Sequence, residues 1–273
     1  MAVLLASAVA AAVTRILLRD LGSLQLGTYS LGTGAAEVPL YAGLGVVSGA
    51  VASAFSAAAR ASSRAFAGSG LPVPYRPVLG GLLCGLLGLA FPQVLFFGYD
   101  TLNQLLADAD RGVPVASLLA LLAAKIAATS VCLGAGLVGG TFAPSLFMGA
   151  CTGASYHAAA QWFLAGADAA WRSTGAEAGL GALADVQAYA MVGASSVLAS
   201  LFRAPLTGSL LLFELTRDYD VILPLMASAG VGSLVGDAID DAVEKRRKKD
   251  GTGEKGEVKS GPLGLGLGRL RGR

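Results

Sequence analysis

Gly134-Ala135-Gly136-Leu137-Val138-Gly139-Gly140-Thr141-Phe142-Ala143-Pro144-Ser145-Leu146-Phe147-Met148-Gly149-Ala150 joins a glycine-dense break to a proline-led apolar run. It lies inside the longest uncharged stretch of the chain, the 42 residues between Lys125 and Asp168, with His157 taken as neutral. About 20 apolar residues suffice to cross a bilayer as a helix, so a stretch of this length reads as membrane-embedded. The break inside it is the informative part. Backbone N–H and C=O groups at membrane depth must be satisfied, and an interrupted helix is tolerated there only inside protein or beside a water-filled cavity. Pro144 falls where the first turn of a new helix begins, a position that needs no intrahelical donor. The N–H groups of Thr141 and Phe142 are then free at the positive end of a helix with no carboxylate nearby, an arrangement suited to a small anion. On these residues alone, a glycine–proline break that binds nothing fits equally well.

The rest of the chain agrees with a membrane setting. Of 273 residues, 54% are hydrophobic and 14% charged, with 38 glycines and a mean hydropathy of +0.65. That composition excludes an ordinary cytosolic enzyme. Two further uncharged runs, of 22 residues between Glu37 and Arg60 and 23 between Arg76 and Asp100, are also long enough to span. Apolar segments fall at about 2–18, 38–59, 77–97, 114–135, 142–165, 186–201, 205–217 and 221–238, and Arg203-Ala204-Pro205-Leu206-Thr207 predicts a second helix break. The fold class is therefore all-α and polytopic, with broken and tilted helices. Residues 164–185 read as an extramembrane loop. Small residues at helical spacing, Gly45/Gly49, Gly81/Gly85 and Gly149/Gly153, predict close helix crossings.

Charge is unevenly placed. Residues 244–273 hold 10 of the 20 basic and 4 of the 18 acidic residues, so this tail is +6 and the remainder −4. The division predicts a membrane domain over 1–243 and a basic, disordered tail over 244–273. By the positive-inside tendency, Lys245-Arg246-Arg247-Lys248-Lys249 faces the cytosol or its topological equivalent, and beside so apolar a body it reads as a membrane-flanking run rather than a nucleic-acid site. The apolar Met1–Val13 stretch precedes Arg15 and Arg19, the reverse of a signal peptide's charge order. Cys84, Cys132 and Cys151 lack CxxC spacing and read as small core residues. His157 is the sole histidine, with no second ligand at metal spacing, so no metal or cofactor is expected. Gly193-Ala194-Ser195-Ser196 vaguely resembles an intramembrane serine protease, but the one histidine, His157, lies on the wrong side in sequence order to be its base, and no catalytic residue is assigned.

Gly139-Gly140-Thr141-Phe142-Ala143-Pro144 resembles the GxFxP anion-site motif of the CLC chloride channels and proton-coupled chloride exchangers. Arg203-Ala204-Pro205-Leu206-Thr207, Phe213-Glu214-Leu215-Thr216 and Asp218-Tyr219-Asp220-Val221-Ile222-Leu223-Pro224-Leu225-Met226 resemble later blocks of that family, in order. Glu37-Val38-Pro39-Leu40-Tyr41 and Arg76-Pro77-Val78-Leu79-Gly80-Gly81 resemble earlier ones, and the likeness covers roughly residues 1–240. It implies the C-terminal half of a CLC-type inverted-repeat fold. Chloride or another monovalent anion would be held near the bilayer midplane by the amides of Thr141 and Phe142, with Gly139, Gly140 and Pro144 shaping the site. Gly136-Leu137-Val138-Gly139-Gly140 and Gln187-Ala188-Tyr189-Ala190 look most like plant and algal plastid members, which implies a thylakoid or envelope membrane.

The resemblance also implies a homodimer, with 38–59, 77–97, 186–201 and 205–217 as candidate faces, and a voltage-gated-type channel or an anion/proton exchanger. Asp20 falls where exchangers keep a proton-transfer carboxylate, although an Asp paired with Arg19 fits as well. Lys125, Arg203 and Glu214 are charges in or beside apolar segments, either paired structurally or attracting anions. The family's GSGIP serine and its G(K/R)xGP gating glutamate have no counterpart: Gly68-Ser69-Gly70-Leu71-Pro72 precedes Arg76-Pro77 and is out of place. No tyrosine follows Asp237 where the family carries its pore tyrosine. A non-conducting assembly subunit, or a fragment needing a separate N-terminal half, is the competing expectation.

Overall fold

The computed structural model describes residues 2–18, 37–95, 114–172, 183–216, 219 and 221–249. Eight α-helices are formed by them: α1 (Ala2–Leu18), α2 (Val38–Gly68), α3 (Arg76–Ala90), α4 (Val115–Gly134), α5 (Phe142–Arg172), α6 (Val186–Phe202), α7 (Pro205–Thr216) and α8 (Ile222–Lys249). Short 3-10 turns at Val73–Tyr75 and Pro92–Val94 flank α3. Proline opens several helices, being at the first or second position of α2 and α3 and leading α7. There its fixed φ suits the helix and its missing donor costs nothing. Val38–Gly68, Val73–Ala90, Val115–Gly134 and Ile222–Arg246 are long and apolar enough to cross a membrane.

Helix α6 is the axis of the bundle. All fifteen residues from Gln187 to Leu201 are buried, enclosed by α5, α8, α2 and α7. Close approach is made possible by small residues. A Cβ at Gly149 would lie 2.5 Å from the Gly193 carbonyl oxygen of α6, and one at Gly153 would strike the Tyr189 backbone. On the other side of the bundle, a Cβ at Gly45 would lie 2.6 Å from the Ser228 carbonyl oxygen of α8, and one at Gly49 the same distance from that of Gly232. Serines hydrogen-bond across these crossings: Ser196 Oγ donates to Ser228 O at 2.9 Å and Ser53 Oγ to Gly236 O at 3.3 Å. Gly81 and Gly85, by contrast, face open space. They share α3 with the exposed Val78, Leu82, Leu86 and Leu89, an apolar surface that fits lipid or a neighbouring helix.

Several boundaries depart from the sequence reading. α2 continues past Arg60 to Gly68, because its alanine-rich sequence favours helix beyond the first charge. α5 likewise runs to Arg172, so 164–172 is helix rather than loop; residues 173–182 lie outside the described residues. α8 carries the basic run to Lys249, which puts 244–249 in the helix and not in a disordered tail. α3 stops at Ala90 instead of 97, since Pro92 disfavours the α conformation in the residue before it and Phe91 turns out at φ −132°, ψ 78°. Burial of α6 also removes 186–201 from the candidate dimer faces.

Substituting Gly49 by Val should destabilise the fold by about 1–3 kcal/mol, the usual cost of overpacking. Gly85→Val, on the open face, should change stability by less than about 0.5 kcal/mol. Thermal unfolding of the detergent-solubilised protein compares the two.

Candidate anion site

α4 ends in a Schellman motif. Gly136, at φ +85°, has the left-handed conformation, its N–H reaches Leu133 O at 3.2 Å, and the Leu137 N–H reaches Cys132 O at 3.0 Å. These bonds satisfy the last carbonyls of α4 and let the chain leave it sharply. Leu137–Gly140 then pass over to Thr141, which is buried, and α5 begins at Phe142. The Ser145 N–H bonds Thr141 O at 3.0 Å, closing the first turn, and Ser145 Oγ turns back to Phe142 O at 2.6 Å. The backbone N–H groups of Thr141, Phe142 and Ala143 reach no acceptor among the described residues, Pro144 has none to offer, and no acidic residue occupies the first turn. The arrangement is a set of convergent donors at the positive end of a long helix.

The glycine requirement lies elsewhere than the motif suggests. Gly139 and Gly140 have no left-handed φ, and a Cβ on either meets nothing within 4 Å. Gly136 is the position that an L side chain would strain, and sequence reasoning passed over it because both it and the motif glycines look alike in one dimension. The conformational constraint at this break lies at Gly136, four residues before Gly140.

The candidate charges do not gather at these donors. Lys125 is buried at 2% exposure, its Nζ 2.7 Å from Val94 O and 5.1 Å from the centroid of Phe147, in the second turn of α5. Arg203 caps α6 in the left-handed region, at φ 53°, with the Ala204 N–H bonded to Ala199 O. Its guanidinium pairs with Asp237 at 2.8 Å and Asp240 at 3.6 Å, and Asp240 also meets Arg60 at 3.5 Å. Glu214 is exposed near the end of α7. Asp20 lies outside the described residues, just beyond the end of α1.

The profile of the family described as "Voltage gated chloride channel" matches residues 1–237. The chain belongs to this family. It is 40% identical over 235 residues to "Chloride channel protein CLC-f" of Arabidopsis thaliana, covering 84% of this chain and 29% of the relative. "Chloride channel protein CLC-e" of the same plant is 38% identical over 205 residues, covering 73% of this chain and 28% of the relative. This voltage-gated chloride channel family member thus spans less than a third of the length of those two relatives. The fold resembles that of a slow cyanobacterial Cl-/H+ antiporter, with a TM-score of 0.63 and 22% identity over 86% of this chain and 53% of the other. The all-α, multi-pass membrane architecture is therefore that of the family.

Gly136→Ala should cost about 1–2 kcal/mol because an L residue is forced into the left-handed region. Gly140→Ala should leave thermal stability within about 0.5 kcal/mol. Unfolding midpoints in detergent measure both.

Proposed function

We propose that this protein moves chloride or a related monovalent anion across a membrane, as a channel or an anion/proton exchanger, with the amides of Thr141 and Phe142 among the ligands of the anion. The observation that carries the reading is the free donor set at the start of α5. A helix terminus contributes roughly 0.3–1 kcal/mol, and up to about 2 kcal/mol when partly buried. Millimolar binding already needs about 4 kcal/mol, so further ligands must complete the site. Weak individual contacts suit transport, since an ion must leave as readily as it enters.

The family relationship supports the anion, the two Arabidopsis relatives support a plant-type membrane protein, and the plastid-like stretches 136–140 and 187–190 favour a chloroplast membrane. A homodimer would use the exposed apolar residues that remain on the other three candidate segments, such as Val46 and Val47 of α2, Leu82 and Leu86 of α3, and Leu206 and Leu210 of α7. Should the remaining ligands come from a separate N-terminal half, residues 1–273 alone will insert in membranes yet conduct poorly.

Chloride efflux from vesicles containing the native protein tests the reading. Efflux above that of empty vesicles is expected, and Gly136→Val, which adds no charge, should lower it about tenfold, the effect of roughly 1.4 kcal/mol lost at the donors. Unchanged efflux in a folded Gly136→Val variant would sink the assignment of these amides.

A further inference from the structure

The three thiols that the sequence reads as core filling do not stand alike in the fold. Cys151 lies on α5 at 0% exposure. Cys84 of α3 and Cys132 of α4 are half-buried, and their thiols hydrogen-bond to one another across the contact between the two helices.

The register of α3 on α4 accounts for this meeting. A Cβ at Gly80 would strike the Ala135 Cβ and lie 3.7 Å from the Val131 carbonyl oxygen. Past the end of α3, the Val94 carbonyl oxygen accepts from Lys125 Nζ at 2.7 Å. Rising positions on the α3 side therefore meet falling positions on α4, so the two helices are antiparallel. Cys84, one turn after Gly80, falls against the turn that holds Cys132. Close backbone approach, permitted here by Gly80, is what a disulfide demands, because its Cα atoms must lie within about 7 Å and its Cβ atoms must face each other. The pair is also within reach of a small reagent in the membrane. Leu83 and Leu86, beside Cys84 in sequence, are 38% and 56% exposed.

Packing alone does not call for two cysteines at this contact. A thiol is a weak donor and a weak acceptor, so the bond between them adds little to an approach already made by Gly80 and Ala135. What facing thiols possess and alanine or serine would lack is redox chemistry. The place of Cys132 gives that chemistry a structural consequence. Its carbonyl oxygen accepts the Leu137 N–H at 3.0 Å in the turn that closes α4, so a bond at its side chain holds the base of the break that leads to Thr141 and Phe142.

We propose that Cys84 and Cys132 form a reversible disulfide that fastens α3 to the last turn of α4. The oxidant is dioxygen. Each sulfur gives up one proton and one electron: two S–H bonds break, one S–S bond forms, and dioxygen takes both electrons and both protons to leave as hydrogen peroxide. A small dithiol such as dithiothreitol reverses the bond by thiol–disulfide exchange, restoring both S–H groups as its own sulfurs close a ring. The pairing holds whether or not the chain transports anions.

Its test uses the native protein in its membrane, exposed to air with copper phenanthroline, which catalyses this oxidation within bilayers. The protein is then unfolded, alkylated at free thiols, digested and weighed without reductant. The Cys84 and Cys132 peptides should vanish from the alkylated set and appear as one linked species, two hydrogens lighter than their sum, while Cys151 stays alkylatable. Dithiothreitol should restore both. Cys132→Ser should leave Cys84 alkylatable, and Cys151→Ser should still give the linked species. The closed loop holds about 50 residues, so the linked protein should unfold in detergent at a midpoint at least about 4 °C above that of the reduced protein.

Both thiols remaining free after oxidation would overturn the pair, as would a link from either to Cys151 or to a second chain. Loss of the Cys84 thiol in Cys132→Ser at the wild-type rate would do the same, because it would show a thiol reacting alone. A linked form whose midpoint equals or falls below that of the reduced protein would reveal a bond made by distorting the helices, and would overturn a pair preset by the fold.

Discussion

Helices in a bilayer gain little by hiding apolar side chains from one another, since lipid is equally apolar; what draws them together is close backbone approach and interhelical hydrogen bonding. The whole bundle depends on α6 meeting that condition on several sides at once. Gly149 and Gly153 let α5 touch its backbone, and Gly45 and Gly49 let α2 touch α8 beside it, with Gly232 facing Ser196 and Ser200. A single added carbon at any of these contacts falls within 2.6 Å of a backbone atom or a serine hydroxyl. The functional consequence is that α5, whose first residues bear the free donors, is held by its middle against a buried helix.

Holding the helix this way leaves its start with one task. The Schellman turn at Gly136 settles the carbonyls of Cys132 and Leu133, and Ser145 settles those of Thr141 and Phe142, so the backbone groups left over in the first turn of α5 are donors. In that first turn the free groups have one sign, which is the basis for proposing an anion there. The cation nearest in sequence to the break, Lys125, is spent on Val94 O and the Phe147 ring. Arg203 is spent on Asp237 and Asp240. On the proposed reading, attraction for an anion comes from oriented peptide groups, which keeps binding weak enough for release.

The sequence made the spans and both helix breaks legible because they are local: a charge-free run, then glycines and a proline. It was less informative about helix ends. Arg60, the stretch through Arg172, and Lys245–Lys249 look like places to stop when only hydropathy is read, yet helix propensity carries the backbone through all three. Glycine roles were also hidden. Gly81/Gly85 has the same spacing as Gly45/Gly49, but only the latter pair meets another helix, and only at Gly136 does the break demand a positive φ. Burial of α6, which rules it out as a subunit face, is a property of the assembled bundle.

Least legible of all was the polar cluster at Glu37. Its hydrogen bonds link residues 147 and 152 positions apart, to Ala184 and Tyr189, and no spacing rule connects them. A solitary histidine and a glutamate before a proline-led helix each look unremarkable alone. Together they explain a local oddity of α2: Glu37 occupies the N-cap position but makes no capping bond, because its carboxylate is turned across to α6. Forgoing a cap costs typically about 1 kcal/mol of helix stability, which the three hydrogen bonds made by the Glu37 carboxyl offset. The trade ties the first turn of α2 to the first turn of α6 and, through Tyr189, to the middle of α5. One carboxylate thus links the starts of α2 and α6 at one end of the bundle, while the Arg60–Asp240–Arg203–Asp237 ion pairs tie α2, α6 and α8 at the other.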